Sequence, residues 1–100
     1  MGGVKSSLPA PTRAENRRFY ILKFEIGCLN HPGTPAEAHH LIDPKTGKRI
    51  SHAATIPLCL ICHHDIHSRK RWFRAEYGRD EFLLQITNMR VADFESRTVG

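Results

Sequence analysis

The sequence lacks the features that mark membrane-spanning, secreted and repetitive proteins. Its 100 residues contain no apolar run near the roughly 20 residues that a membrane helix needs. The N-terminal stretch MGGVKSSLPAPTRAENRR has no apolar core of the signal-peptide kind, so we expect a cytoplasmic protein with no membrane partner. No internal repeat or low-complexity segment is visible. These absences leave one small domain as the simplest interpretation.

Cysteine is scarce, and its odd number argues against a disulfide framework. The chain has three cysteines, and a reducing cytosol would keep them as thiols. Histidine, in contrast, is abundant and clustered: six of the seven histidines lie between residues 37 and 67. Cysteine and histidine together are ligands that transition metals prefer. Metal binding is therefore the first function to consider.

The pattern of apolar residues and turn residues predicts an α+β domain. The order is helix, loop, strand, turn, strand, helix, helix. A flexible arm is expected over residues 1–12 and a single domain over 13–100. The predicted elements are a helix from Thr12 or Ala14 to Gly27 with the apolar stripe Phe19, Leu22 and Ile26, strands over 36–42 and 54–59, a helix from Leu60 to about Arg74, and a last helix over 77–96 with Gly78 separating it from the one before.

Two short spacings predict a structural zinc site. Cys28 and His31 are separated by two residues, and so are Cys59 and Cys62. An x2 spacing lets a tight turn direct both side chains at one ion, and four such ligands suit tetrahedral zinc. Zinc here would join the loop before the first strand to the start of the following helix. The alternative is that the cysteines are buried free thiols that pack like small apolar residues.

The remaining histidines predict a second site of a different kind. His39 and His40 are adjacent on the predicted first strand, while His63 and His67 are four apart and share one helix face. A strand and a helix with these side chains can hold one divalent ion and leave a position open, as catalytic metal sites do. Solvent-facing histidines with no ion, or extra ligands to a second structural zinc, are the alternatives.

The stretch EAHHLIDPKTGKR followed by TIPLCLICHHDIH resembles the HNH, or ββα-metal, endonuclease motif. The match is Glu37-x-His39-His40, then Leu58-Cys59-x2-Cys62-His63-x3-His67. More narrowly, GKRISHAATIPLCLICH followed by RWFRAEYG is similar to the phage Ref family of RecA-dependent recombination-enhancement nucleases. That similarity covers roughly residues 27 to 85.

The resemblance implies a zinc-stabilised ββα-metal domain with flanking helices and a specific set of roles. His40 would be the general base, and Glu37 would orient a neighbouring group. His39, His63 and His67 would bind one catalytic Mg²⁺, Mn²⁺ or Zn²⁺, which polarises the scissile phosphate. The product would carry a 5′ phosphate. The protein would then be a phage or prophage enzyme that acts on DNA in a bacterial cytoplasm, with the RecA filament as a possible partner.

Two positions depart from the HNH pattern. Ala54 stands where the middle Asn is expected, and alanine lacks the amide that normally pins the loop. His52 or Thr55 can substitute for it, or the loop is held differently. His64 directly follows His63, so a shift in helix register would make His64 the metal ligand.

Basic residues outnumber acidic ones by 15 to 10, which gives a net charge of +5 and a pI near 9.5. This balance favours polyanionic partners, nucleic acid first. The candidate phosphate contacts are Lys48, Arg49, Arg69, Lys70 and Arg71. The turn residues Lys48 and Arg49 suit ordinary solvation as well, as do the basic residues of the first helix, Arg17, Arg18 and Lys23. At least one of Trp72 and Phe73 is expected to anchor the core.

A competing function belongs to another class. A non-catalytic zinc-stabilised module that binds nucleic acid or protein would use the same cysteines and the same positive charge. His40 distinguishes the two, because a structural module has no need for a base beside a metal-binding histidine. A degenerate nuclease, inactivated by Ala54, is the third possibility.

Overall fold

A computed structural model of the chain describes residues 8 to 99. Within that range four α-helices surround a two-stranded sheet. The elements are α1 (Arg13–Tyr20), a π-helical segment (Ile21–Ile26), β1 (Glu37–His40), β2 (Thr55–Leu58), α2 (Leu60–Ser68), α3 (Lys70–Tyr77) and α4 (Asp80–Val99). This mixture of helices with one small sheet confirms the predicted α+β class. Residues 1 to 7 of the predicted arm lie outside the described residues.

The first helix begins directly after Thr12, one of the two predicted starts, and its π-helical continuation ends at Ile26, just before the predicted stop Gly27. The Thr12 hydroxyl accepts a hydrogen bond from the Glu15 N–H at 3.1 Å, and the Glu15 carboxylate accepts one from the Thr12 N–H at 2.8 Å. This reciprocal cap satisfies two N–H groups that a helix start leaves unpaired. The last six residues wind as a π-helix, with the Gly27 N–H bonded to the Leu22 carbonyl at 3.0 Å. Ile21 is buried beside Leu22, although the predicted stripe contained only Leu22 of this pair.

The two strands form an antiparallel hairpin that carries the adjacent histidines. Glu37 pairs with Leu58, and His40 pairs with Thr55. Because successive side chains of a strand point to opposite faces, His39 and His40 lie on different sides of the hairpin. All four residues of β2 are buried. The hairpin therefore places one of the paired histidines on each side of a well-packed strand pair.

The single helix predicted from Leu60 to about Arg74 is wrong, because the chain bends at Arg69. Arg69 has φ −131° and ψ 50°, which ends α2 and separates it from α3. The Ser68 hydroxyl donates to the His64 carbonyl at 2.9 Å, a side-chain bond that competes with the helical pattern. After the bend, Phe73 is fully buried. Gly78, with φ 113°, separates α3 from the last helix as predicted.

Buried apolar residues form two clusters. The smaller cluster, Ile21, Leu22 and Val91, joins the π-helical segment to α4. The larger one connects the hairpin to α2, α3 and α4, and it contains all three cysteines. Its members are Cys28, Ala36, Leu41, Ala54, Ile56, Leu58, Cys59, Cys62, Ile66, Phe73 and Leu83. The predicted zinc ligands therefore stand at the edge of the main core, where they can stabilise it.

Candidate metal centres and the histidine cluster

Three cysteines and one histidine meet where the loop after the first helix touches the start of α2. Cys28 and His31 come from the loop, Cys59 caps α2, and Cys62 lies in its first turn. Their ligand atoms all lie within 4.8 Å of one another. The structure thus brings together the four residues that the sequence predicts as a zinc site.

The distances within this cluster fit one tetrahedral zinc ion. His31 Nδ1 lies 3.8, 3.6 and 3.2 Å from the Sγ atoms of Cys28, Cys59 and Cys62. With Zn–S bonds of about 2.3 Å and Zn–N bonds of about 2.0–2.1 Å, a tetrahedral site separates S from N by about 3.6 Å. The observed distances bracket that value. Three thiolates and one imidazole also form the closed donor set typical of structural zinc.

The thiols of this cluster differ in their acidity. Burial favours a higher pKa for Cys59, but hydrogen bonds from the Cys62 backbone N–H and from neighbouring thiols outweigh it and lower this pKa to about 7. Burial raises the pKa of Cys62 to about 12.

Asn30 Nδ2 donates to Cys62 Sγ at 3.6 Å, which favours the thiolate that a metal requires. Asn30 was not predicted, and its only signal in the sequence is its position between Cys28 and His31.

Gly27 shapes the loop that carries the first two ligands. It has φ +75°, a conformation that residues with a Cβ rarely adopt. A Cβ at this position would lie 3.0 Å from the Thr34 carbonyl oxygen, which itself accepts the Cys28 N–H at 3.1 Å. The positive φ and this close approach both favour glycine at this position of the ligand loop.

Three histidines form a second cluster between the hairpin and α2. The ring centroids are separated by 5.0 Å for His39 and His63, 5.2 Å for His39 and His67, and 5.1 Å for His63 and His67. This nearly equilateral triangle arises because an i,i+4 pair on a helix faces one strand residue. The ligand nitrogens lie within 4.8 Å of one another. Three imidazoles at this spacing can bind one divalent ion and leave coordination positions for water or phosphate.

Burial keeps imidazoles of this cluster in the form that metals bind. Burial, reinforced by the charges of His63 and His67, lowers the pKa of His39 to about 4. Burial also lowers the pKa of His63. Because a metal binds neutral imidazole, these two ligands need lose no proton near pH 7.

His40 lies on the other side of β1, outside this triangle, where it contacts His52 and Phe19. Its Nε2 is 2.9 Å from His52 Nδ1, and His52 Nε2 is 2.7 Å from the Pro9 carbonyl oxygen. Phe19 packs edge-on against both imidazoles, with centroid distances of 5.8 and 5.7 Å. Burial, followed by the positive charge of Arg49, lowers the pKa of His40. His40 is therefore a neutral, oriented imidazole next in sequence to a candidate metal ligand.

The loop around Ala54 is held without the amide of an asparagine. The Thr55 hydroxyl donates to the His52 carbonyl at 3.0 Å and accepts from Arg18 Nε at 2.9 Å. The Ser51 hydroxyl accepts the Ala54 N–H at 3.1 Å. Thr55 thus pins the loop through its side chain. His52 contributes its carbonyl there, and its imidazole is engaged elsewhere.

Glu37 is near the three-histidine cluster but has another partner. It precedes His39 by two residues on β1 and forms an ion pair with Lys23 at 3.3 Å. Its charge partly opposes the lowering of the His63 pKa by burial. Its predicted role in orienting a neighbouring group stays a prediction.

His64 does not belong to the cluster. Its exposed side chain lies 3.3 Å from the Ser68 hydroxyl, one turn further along α2. His63 contributes the ligand nitrogen instead. The geometry therefore favours His63 between the two alternatives that the sequence left open.

The predicted phosphate contacts are all exposed. The positive charge of Arg49 contributes to the lowered pKa of both His39 and His40, after burial in each case. Arg69 stacks on Trp72 with 4.1 Å between its Cζ and the ring centroid. The exposed side chains in this group are Lys48, Arg49, Arg69, Lys70 and Arg71.

Three basic residues of α1 and the π-helical segment form ion pairs or hydrogen bonds within the protein. These pairs are Arg17 with Glu95, Arg18 with Thr55, and Lys23 with Glu37. Arg18 is half-buried and donates a second bond to the Thr55 carbonyl at 2.7 Å. Arg18 therefore joins α1 to the first residue of β2 through two hydrogen bonds.

Comparison with known proteins adds no family assignment. No family model, curated protein or solved structure matches the chain. Among residues 8 to 99, the helices are all too short or too polar to cross a bilayer. What is established is a small α+β domain with a Cys₃His cluster that could bind zinc.

Proposed function

We propose that this protein is a metal-dependent endonuclease that hydrolyses phosphodiester bonds in DNA. The observation that carries the proposal is the combination of a three-histidine cluster with His40, an imidazole that is not part of it. A purely structural metal site has no use for such a neighbour. The resemblance to the HNH motif supports the same function.

The residues divide into three roles under this proposal. The Cys₃His cluster holds a structural zinc, and His39, His63 and His67 hold a catalytic Mg²⁺, Mn²⁺ or Zn²⁺. That ion would polarise the scissile phosphate and stabilise the leaving 3′ oxygen. His40 takes the proton of the attacking water, a task that suits an imidazole whose pKa lies below operating pH.

DNA is the proposed substrate because the exposed basic residues suit a phosphate backbone. Arg49 is exposed and its charge acts on both His39 and His40, and the run from Arg69 to Arg71 follows the helix that carries His63 and His67. Such contacts position a backbone and carry no sequence information. We propose that targeting comes from a partner, with the RecA filament suggested by the resemblance to Ref nucleases.

The second candidate is a non-catalytic zinc-stabilised module that binds nucleic acid. The observation that favours it is the Cys₃His cluster itself, which accounts for the stability of the domain without any chemistry. Such a module would bind DNA and leave it intact. It would also tolerate the loss of His40.

The test is nicking of supercoiled plasmid by protein that retains its structural zinc. Mg²⁺, Mn²⁺ and Zn²⁺ are added separately, on naked DNA and on DNA coated with RecA filaments. His40→Ala is compared with wild type, and His64→Ala is the matched control because it removes an exposed imidazole outside both clusters. Circular dichroism and zinc content confirm that all three proteins are folded.

The endonuclease proposal predicts metal-dependent nicking by wild type and His64→Ala and none by His40→Ala. Equal nicking by all three proteins would refute the role of His40. Binding of DNA without nicking, under every metal and with RecA, would establish the non-catalytic module. Nicking only on RecA-coated DNA would support the targeting partner.

A further inference from the structure

The imidazole of His52 lies between His40 and the segment that precedes α1. His52 is 9% exposed. Its Nδ1 is 2.9 Å from His40 Nε2 and its Nε2 is 2.7 Å from the Pro9 carbonyl oxygen. His52 therefore connects the candidate base His40 to the Pro9 carbonyl, which lies 43 residues before His52 in the sequence.

The Pro9 carbonyl fixes the direction of one hydrogen bond, and for a neutral His52 the other direction follows from it. A carbonyl oxygen can only accept, so His52 Nε2 carries a proton and donates to Pro9. The Nδ1 of a neutral His52 is then an acceptor, so His40 donates through Nε2. A neutral His40 consequently carries its lone pair on Nδ1. Among the described residues, no protein group is hydrogen-bonded to that nitrogen.

Packing reinforces this arrangement. Phe19 contacts both imidazoles edge-on, which restricts the rotation of each ring. The His52 carbonyl accepts the Thr55 hydroxyl at 3.0 Å, which fixes the backbone from which the His52 side chain projects. The ring of His52 is thus held by its own backbone, by Phe19 and by Pro9.

We propose that His52 is a positioning residue that holds His40 as the Nε2–H tautomer and leaves Nδ1 as the nitrogen that accepts a proton. The segment before α1 takes part through the Pro9 carbonyl. The catalytic consequence rests on the endonuclease function proposed above, but the positioning itself does not. His52 touches no substrate, and it acts only through His40.

Two substitutions separate the two contacts of His52. In His52→Asn the amide oxygen occupies roughly the place of Nδ1 and can still accept from His40. In His52→Gln the amide nitrogen lies roughly where Nε2 was and can still donate to Pro9, but the contact with His40 is lost. His64→Gln, on the exposed face of α2, controls for the exchange of an imidazole for an amide.

The first readout needs no catalysis. Long-range ¹H–¹⁵N spectra of the zinc-loaded full-length protein report which nitrogen of His40 carries the proton. We expect the Nε2–H tautomer in wild type, in His64→Gln and in His52→Asn, and a mixture of tautomers in His52→Gln. A wild-type His40 with its proton on Nδ1, or a His52→Gln spectrum identical to wild type, would overturn the proposal.

The second readout is plasmid nicking at saturating metal. Loss of a group that orients a reacting side chain typically costs about 10- to 100-fold. We expect His52→Gln to lose kcat by this factor with KM unchanged, and His52→Asn to recover part of the loss. Equal kcat in the Asn and Gln variants would contradict positioning through His40. If wild type cuts no DNA under any condition, the endonuclease proposal fails, and the tautomer spectra still decide the role of His52.

Discussion

Replacing Cys62 with serine tests whether zinc stabilises this domain. Cys62 is 1% exposed, and its Sγ is the sulfur nearest to His31 Nδ1, at 3.2 Å. A serine hydroxyl at this position remains protonated and binds zinc poorly. Zinc binding contributes on the order of 10–16 kcal/mol to the folding of small structural sites. The total stability of a domain is only about 5–15 kcal/mol, so loss of zinc should unfold most of the protein.

The control for this prediction is Ala36→Ser, which also adds a hydroxyl to the main core. Ala36 is 3% exposed and is not a zinc ligand. An unpaired buried hydroxyl costs about 1–3 kcal/mol, so this variant should remain folded at 25 °C with a lower Tm. The difference in stability between the two variants separates the effect of losing a zinc ligand from the effect of burying a hydroxyl group.

The assay combines zinc content with far-UV circular dichroism and thermal unfolding. Wild-type protein should contain one zinc that thiol-modifying reagents release, and a strong chelator should unfold it. Cys62→Ser should lack that zinc and most of the helical signal. A folded Cys62→Ser protein with the wild-type Tm would show that the cluster is only a set of packed thiols.

Three further predictions follow from particular side chains. His67→Ala should abolish cobalt binding at the three-histidine cluster, measured by visible absorption, and leave the structural zinc in place; unchanged binding would exclude this cluster as a metal site. Arg49→Ala should reduce kcat/KM for DNA cleavage by about 10- to 150-fold, which corresponds to the roughly 1.5–3 kcal/mol of one charge-assisted hydrogen bond, whereas Lys45→Ala in the same turn should change it much less. Similar effects of the two substitutions would show that Arg49 contributes only through general electrostatic attraction to DNA. Phe73→Ala should cost about 3–5 kcal/mol in urea unfolding, and Trp72→Ala clearly less because Trp72 is 39% exposed; the reverse order would contradict the bend at Arg69.

Local spacing allowed both candidate metal sites to be predicted from the sequence. An x2 separation in a turn and an i,i+4 separation on a helix are short-range properties, so the two pairs of zinc ligands and His63 with His67 were identifiable without tertiary structure. The resemblance to the HNH motif is the source of the roles proposed for His39 and His40, which stay predictions. The helix cap at Thr12 and the separation of the last helix at Gly78 are local signals as well.

The features that sequence could not supply depend on contacts between distant residues. His52 meets Pro9 across 43 positions, and Arg18 meets Thr55 across 37. The periodicity of apolar residues along the sequence does not predict contacts between residues so far apart. The bend at Arg69 was not predicted because Arg69 and Lys70 are good helix formers. The hydrogen bond from the Ser68 hydroxyl to the His64 carbonyl and the burial of Phe73 accompany the bend. Tertiary packing overrides local propensity at these places.

The most direct test of the central claim is the single-turnover rate of plasmid nicking at saturating metal by His40→Ala and by His64→Ala. General-base catalysis contributes about 10²- to 10⁴-fold, so His40→Ala should be slower by at least about 100-fold with the same zinc content. The nicks made by wild type and His64→Ala should be sealed by DNA ligase, since they should carry a 5′ phosphate and a 3′ hydroxyl. Equal rates for the two variants would contradict the assignment of His40 as the general base.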